Sequence, residues 1–140
     1  MSTNDTLIDE FESGRIDGAD FPHERHVEVA WELARRYGRD DGLRRMIAGI
    51  KDIARRAGVP DKYHDTITRA WFELIAGVDD PERHPELLDR ALLARFYSPE
   101  RLAAGRARWV EPDLHPLQLP PPTPREVSDS GPRRGVAPRG

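Results

Sequence analysis

Three histidines stand where the buried faces of helices should begin. His23 and His26 lie in FPHERHVEVAW, and His64 lies in KYHDTIT. Laid on a helix, His23, His26, Val27, Ala30, Leu33, Ala34 and Tyr37 fall on one face. His64, Ile67, Thr68, Trp71, Leu74, Ile75 and Val78 repeat the same spacing. Each imidazole therefore occupies the start of an otherwise apolar stripe. Neutral imidazole is the commonest transition-metal ligand, and three of them suit zinc, iron or copper. An imidazole titrating near pH 6.5 also serves as a general acid or base. The candidate metal ligands are His23, His26 and His64. Tyr63, Thr68 and Trp71 are the candidate ligand-binding residues beside them. The partial positive charge at helix N-termini works against a cation and favours an anion. The expected occupant is thus one transition metal ion, zinc or iron, or a small anionic ligand.

Several better-known constellations are missing. HERH does not match the zincin pattern, which needs histidines four apart. No paired E-x-x-H motifs of a di-iron bundle occur at matching positions. Gly-rich phosphate loops and serine nucleophile elbows are absent, and with no cysteine so are disulfides, thiolate metal sites and cysteine nucleophiles. The remaining candidates read more simply as structure. Asp113 in EPDLHP fits a turn cap better than a carboxylate ligand. Trp31 at helical spacing reads as core, Arg95 as an ion-pair partner, and His84 and His115, each beside a proline, as loop residues.

The elements that must position the histidines are helices. Strand signals are nearly absent, and helical stretches break at Gly and Pro. A short helix spans about residues 4–13, with Asn4 as its cap and Leu7, Ile8 and Phe11 on one face. A second begins near Pro22, a residue suited to a first turn, and stops at Gly38. A third runs over about 40–57 with Leu43, Ile47, Ile50 and Ala54 on one face, and stops at Gly58. A fourth covers about 60–77, a fifth PELLDRALLARFY (85–97), and a sixth restarts at Ser98-Pro99. The connections GRDD and GVPD are short, which makes successive helices antiparallel and the second and fourth parallel. Their N-terminal ends then share one end of the bundle, where His23, His26 and His64 converge.

The totals agree with a single all-α domain. The chain has 140 residues, 37% of them apolar and 34% charged, enough for one modest core. A net charge of −3 gives no bulk attraction to nucleic acid or to an anionic membrane. No apolar run approaches the ~20 residues of a membrane span, and the acidic N-terminus lacks a signal-peptide pattern, so the cytoplasm is the expected location. Eight of the 13 prolines fall from Pro112 onward. Residues 1–118 are therefore expected to form one compact bundle of five or six helices, with EPDLHPL lying back across it. Residues 119–140 are expected to be a disordered Pro-rich tail.

The motifs F-x-H-x-x-H-x-x-x-A-W (Phe21 to Trp31), Y-H-D-T-I-T (Tyr63 to Thr68), F-Y-S (Phe96 to Ser98) and W-V-E-P-D-L-x-P-L (Trp109 to Leu117) occur in that order. In this the chain resembles an uncharacterised family of small bacterial all-helical proteins, over about residues 20–117. The resemblance implies a single helical domain and carries no activity or cofactor with it. Two readings of function stand side by side. One is a small pocket protein, enzyme or binder, holding a metal ion or a small anion through a three-histidine cluster. The other is a non-catalytic interaction or regulatory domain in which the histidines are structural.

Overall fold

Gly38 decides the topology. Its φ of 84° is accessible to glycine and strained for other residues, and it interrupts the long helical stretch His23–Arg56. We call that stretch α2, with a first arm before Gly38 and a second arm after it. The chain reverses there, because Gly42 comes back against Leu33, and a Cβ on Gly42 would meet the Leu33 carbonyl at 2.9 Å. The absence of a side chain at Gly42 is what lets the two arms approach so closely. The expected break at Gly38 and the antiparallel return are therefore both present.

The protein, described here by a computed structural model over residues 3–120, is helical throughout its regular elements. α1 spans Thr3–Glu12 and α3 spans Asp65–Ala76. α4 is the six-residue helix Pro99–Ala104, capped by Ser98, whose Oγ accepts from the Arg101 N–H at 3.2 Å. Among the described residues there are four α-helices and five 3-10 turns. The Asn4 cap and the tail beyond residue 120 lie outside the described side chains and residues. Apolar packing extends to Leu117 and Leu119, both set against the core.

Several expectations about the helices are corrected. The described residues form four α-helices rather than five or six, and the helix expected over about 60–77 begins only at Asp65, after a 3-10 turn Pro60–Lys62 and extended backbone at Tyr63 and His64. PELLDRALLARFY is two 3-10 turns, Pro85–Leu88 and Leu92–Arg95, rather than one helix. Asp89 breaks it: its backbone is extended and its side chain accepts the Ala91 N–H at 2.9 Å, a local turn that competes with helix. The irregular path still buries Leu87, Leu92, Leu93, Phe96 and Tyr97. The second arm of α2 packs Leu43 and Ile50 on the core as expected, but with Met46 and Ile53 in place of Ile47 and Ala54. Met46 is buried, and Leu43, Ile50 and Ile53 pack beside it; Ile47 does not join the core. Both stripes have helical spacing, so periodicity alone does not choose between them.

The core lies between α2 and α3, with α1 closing one side through Leu7, Ile8 and Phe11. Phe11 stacks on Phe21 at 5.3 Å, which ties α1 to the start of α2. α3 is buried on two sides, because residues 102–119 pass behind it. Ala70, Phe72, Leu74 and Ile75 are all at most 3% exposed. The chain from Phe96 onward does lie back across the bundle. Leu114 N–H donates to Phe96 O (2.9 Å), and Tyr97 O–H donates to Val110 O (2.8 Å). Among the described residues, no helix is long and apolar enough to cross a membrane.

Candidate ligand-binding site

The first turns of α2 and α3 meet around a cavity of about 330 Å³. His23 and His26 reach it from the first arm of α2, and Met46 and Ile50 from the second arm. Lys62, Tyr63 and His64 come from the connection before α3, and Ile67, Thr68 and Trp71 from α3 itself. Arg90 joins from the irregular segment between the two 3-10 turns. All six residues expected at the site therefore line one cavity, and His64 stands at the same bundle end as His23 and His26.

Each histidine is held differently. His64 is the N-cap of α3: its Nδ1 accepts the Ile67 N–H (3.2 Å) and its Nε2–H donates to Leu102 O (2.8 Å). Both nitrogens are engaged and the tautomer is fixed. Burial, and then Arg106, hold its pKa below the ordinary histidine value. His23 Nε2–H donates to Leu87 O at 2.8 Å, which ties the turn Pro85–Leu88 to α2 and leaves Nδ1 as an acceptor. Its ring meets the Trp71 ring edge-on at 4.5 Å. His26 lies against Phe21, ring centroids 4.2 Å apart, and 6.3 Å from the His23 ring. Burial lowers its pKa to about 4, with His23 and Arg90 acting in the same sense and the Phe21 backbone opposing. At neutral pH it is an uncharged imidazole.

This geometry bears on the metal reading. A metal takes a nitrogen lone pair, and His64 has none left: one nitrogen carries the proton and the other already accepts a backbone N–H. Among the described residues, no group of three or more His, Asp or Glu side chains is arranged to hold a metal ion. Besides the neutral imidazoles, two exposed cations line the cavity. Lys62 and Arg90 form no ion pair with any described residue. No Asp or Glu lines the cavity, in a chain that carries 25 of them.

Tyr63 and Thr68 contribute shape more than free polar groups. Tyr63 O–H donates to Asp65 Oδ1 (2.7 Å), and burial with that carboxylate raises its pKa. Thr68 O–H donates back to the His64 carbonyl (2.9 Å), as hydroxyls in helices often do. Trp71 supplies an aromatic wall.

The lesser candidates lie elsewhere. Asp113 accepts from Ser98 N–H (2.8 Å) and Ser98 O–H (2.6 Å), anchoring the returning segment as a turn residue. Trp31 donates from Nε1 to Val78 O (3.2 Å). Arg95 and His115 are exposed and away from the cavity. His84 lies between two 3-10 turns, in the loop expected of it, and is only 6% exposed; its Nδ1 stands 3.8 Å from Glu86 and has no hydrogen-bond partner among the described residues.

Sequence reasoning missed Lys62 and Arg90. Lys62 sits beside Tyr63 and His64, so its neighbourhood was a usable signal. Arg90 had none, because a helix over 85–97 would have aimed it by a periodicity that the chain does not follow. No family model, curated protein or solved structure matches the chain.

Proposed function

We propose that this chain is a small-ligand protein whose cavity takes a small organic anion. The observation that carries the reading is the composition of the cavity wall. Its polar members are imidazoles, Lys62, Arg90 and two hydroxyl side chains that already donate inward, and no carboxylate is among them. Lys62 and Arg90 are exposed side chains at the cavity's edge, where two cations with no acidic neighbour give a local positive potential that favours a negative partner. Below the polar end lie Ala30, Met46, Ile50, Phe72 and Ile75, so the ligand has an apolar body. A few convergent polar groups over an apolar floor is the general form of a small-molecule site. The His64 cap, with both nitrogens used, supports an anion over a three-histidine metal centre.

A second reading rests on an observation of its own. His64 and His23 each hold a backbone carbonyl that joins two segments, so two of the three histidines have structural work regardless of any ligand.

Calorimetric titration with three probes of one shape separates the readings: 3-phenylpropanoate, 3-phenylpropan-1-ol and 3-phenylpropylammonium. The anion is expected to bind at least tenfold more tightly than the alcohol, and the ammonium not at all. Equal affinities, or no binding by any of them, would overturn the anion reading and leave the histidines structural.

A further inference from the structure

The neutral polar groups of the cavity wall have their protons committed to the protein. Tyr63 O–H donates to Asp65, Thr68 O–H to His64 O, His64 Nε2–H to Leu102 O and His23 Nε2–H to Leu87 O. The last two bonds fix the tautomers, because a carbonyl oxygen only accepts. His64 uses its other nitrogen for the Ile67 N–H. His23 does not: its Nδ1 keeps a lone pair and has no hydrogen-bond partner among the described residues. His84 Nδ1 is the one unpartnered side-chain nitrogen or oxygen that is buried among those residues, so His23 Nδ1 is open to an incoming group. The ring is also held in place. The bond to Leu87 O (2.8 Å) and the edge-on contact with Trp71 (4.5 Å between centroids) fix it, and the half-buried ring lines the cavity beside His26.

We propose that His23 Nδ1 selects a ligand that carries a hydroxyl group as well as its negative charge, so that the ligand class is hydroxylated carboxylates. The carboxylate is the partner of Lys62 and Arg90, and the hydroxyl hydrogen goes to His23 Nδ1. The proposal rests on the anion reading above and adds a second recognised group, a neutral donor. An acceptor that loses its water when a ligand enters must find a new donor or go unpaired, and that penalty is what rejects the analogue without a hydroxyl. An ammonium group would also donate, but the two cations that line the same cavity repel it.

Calorimetric titration of the full chain tests this with 3-phenylpropanoate, three hydroxylated forms of it, and the methyl ether of each. The hydroxylated forms are 2-hydroxy-3-phenylpropanoate, 3-hydroxy-3-phenylpropanoate and 3-(4-hydroxyphenyl)propanoate, which place the hydroxyl at three positions. At least one of them is expected to bind about fivefold or more tightly than 3-phenylpropanoate, the size of one net neutral hydrogen bond, and its ether is expected to lose the gain. In His23→Gln a side-chain N–H remains for Leu87 O but the ring nitrogen is gone, and the ratio of the two affinities is expected to fall to about one. Should that variant not fold, long-range proton–nitrogen spectra of the isotope-labelled parent decide. The His23 Nδ1 signal is expected where an unprotonated nitrogen resonates, and to shift with the hydroxy acid and not with its ether. If 3-phenylpropanoate binds and no hydroxy acid binds more tightly, or if the gain survives in His23→Gln, the proposal is overturned and the anion reading stands. A protonated Nδ1 in the free chain overturns it as well. Silence from every probe, 3-phenylpropanoate included, removes both.

Discussion

The first turn of α3 has two polar sides that contrast sharply. On the side away from the cavity, Asp65 and Thr66 are buried, at 8% and 0% exposure, and every polar atom has a partner. Thr66 O–H donates to Arg108 O (3.0 Å) and its oxygen accepts Val110 N–H (3.1 Å). The Thr66 N–H donates to Gly105 O (3.1 Å). Asp65 accepts from Tyr63 O–H and from Arg69 Nε–H (2.8 Å), and its own N–H donates to Arg106 O (2.9 Å). This side fastens residues 105–110 to the helix. On the cavity side, exposed Lys62 and Arg90 and half-buried His26 line the cavity, and no acidic side chain lines it with them. The polar groups on the first side are saturated by the fold; those on the cavity side are the ones to which the proposed function assigns a ligand. His64 stands between the two sides and belongs by its bonds to the first.

That division is open to attack at four points, taken from the largest expected effect. Replacing Thr66 with Val strands the Arg108 carbonyl and the Val110 N–H together. Unsatisfied buried groups cost about 1–3 kcal/mol each, so a loss of about 2–4 kcal/mol is expected in urea unfolding. Anion binding by the folded fraction should be unchanged. A Thr66→Val protein as stable as the parent would mean that this side is not a fastening at all.

The second point is pH. His26 titrates near 6.5 when unfolded and near 4 when folded, so the unfolded chain takes up the proton first as pH falls. Its contribution to stability is present in full above 6.5 and is lost as the pH drops through about 4. Between pH 7 and pH 4 the parent should lose up to about 3 kcal/mol more than His26→Gln, since each tenfold difference in proton affinity between the folded and unfolded chain is worth about 1.4 kcal/mol. Parallel stability curves for the two proteins would show that His26 is not held neutral by its surroundings.

Third, His64→Ala removes the α3 cap and the bond to Leu102 O. A cost of about 1–2 kcal/mol is expected. The preference for 3-phenylpropanoate over its alcohol should survive. Collapse of that preference with little loss of stability would place His64 on the ligand side. Last, His26→Leu should change stability by less than about 1 kcal/mol, in either direction, because ligand sites hold polar groups that the fold does not require. Binding of the anion should fall clearly. A loss of several kcal/mol would make His26 a packing residue.

Much of the frame was legible in the residue pattern. Gly38 and Gly58 are stops because each has a left-handed φ, and Ser98-Pro99 starts α4 with the expected side-chain cap. That His23, His26 and His64 line one cavity was legible from stripe spacing and two short connections. Other features left no periodic trace. Asp65 and Thr66 are buried because a distant segment folds onto them, and nothing in DTITRAW reports that segment. Residues 85–97 carry a helix-like apolar spacing, yet the Asp89 turn diverts them and so brings Arg90 over the cavity. The His64 cap was hidden because histidine is an unusual N-cap beside Ser, Thr, Asp and Asn.

The central claim is that Lys62 and Arg90, unneeded by the fold, select the charge of the ligand. The most direct measurement compares the ratio of affinities for 3-phenylpropanoate and 3-phenylpropan-1-ol in the parent and in the Lys62→Ala, Arg90→Ala protein. The account predicts a ratio of at least ten in the parent and close to one in the double variant, with the unfolding midpoint in urea nearly unchanged. A ratio that stays the same in the two proteins would contradict it.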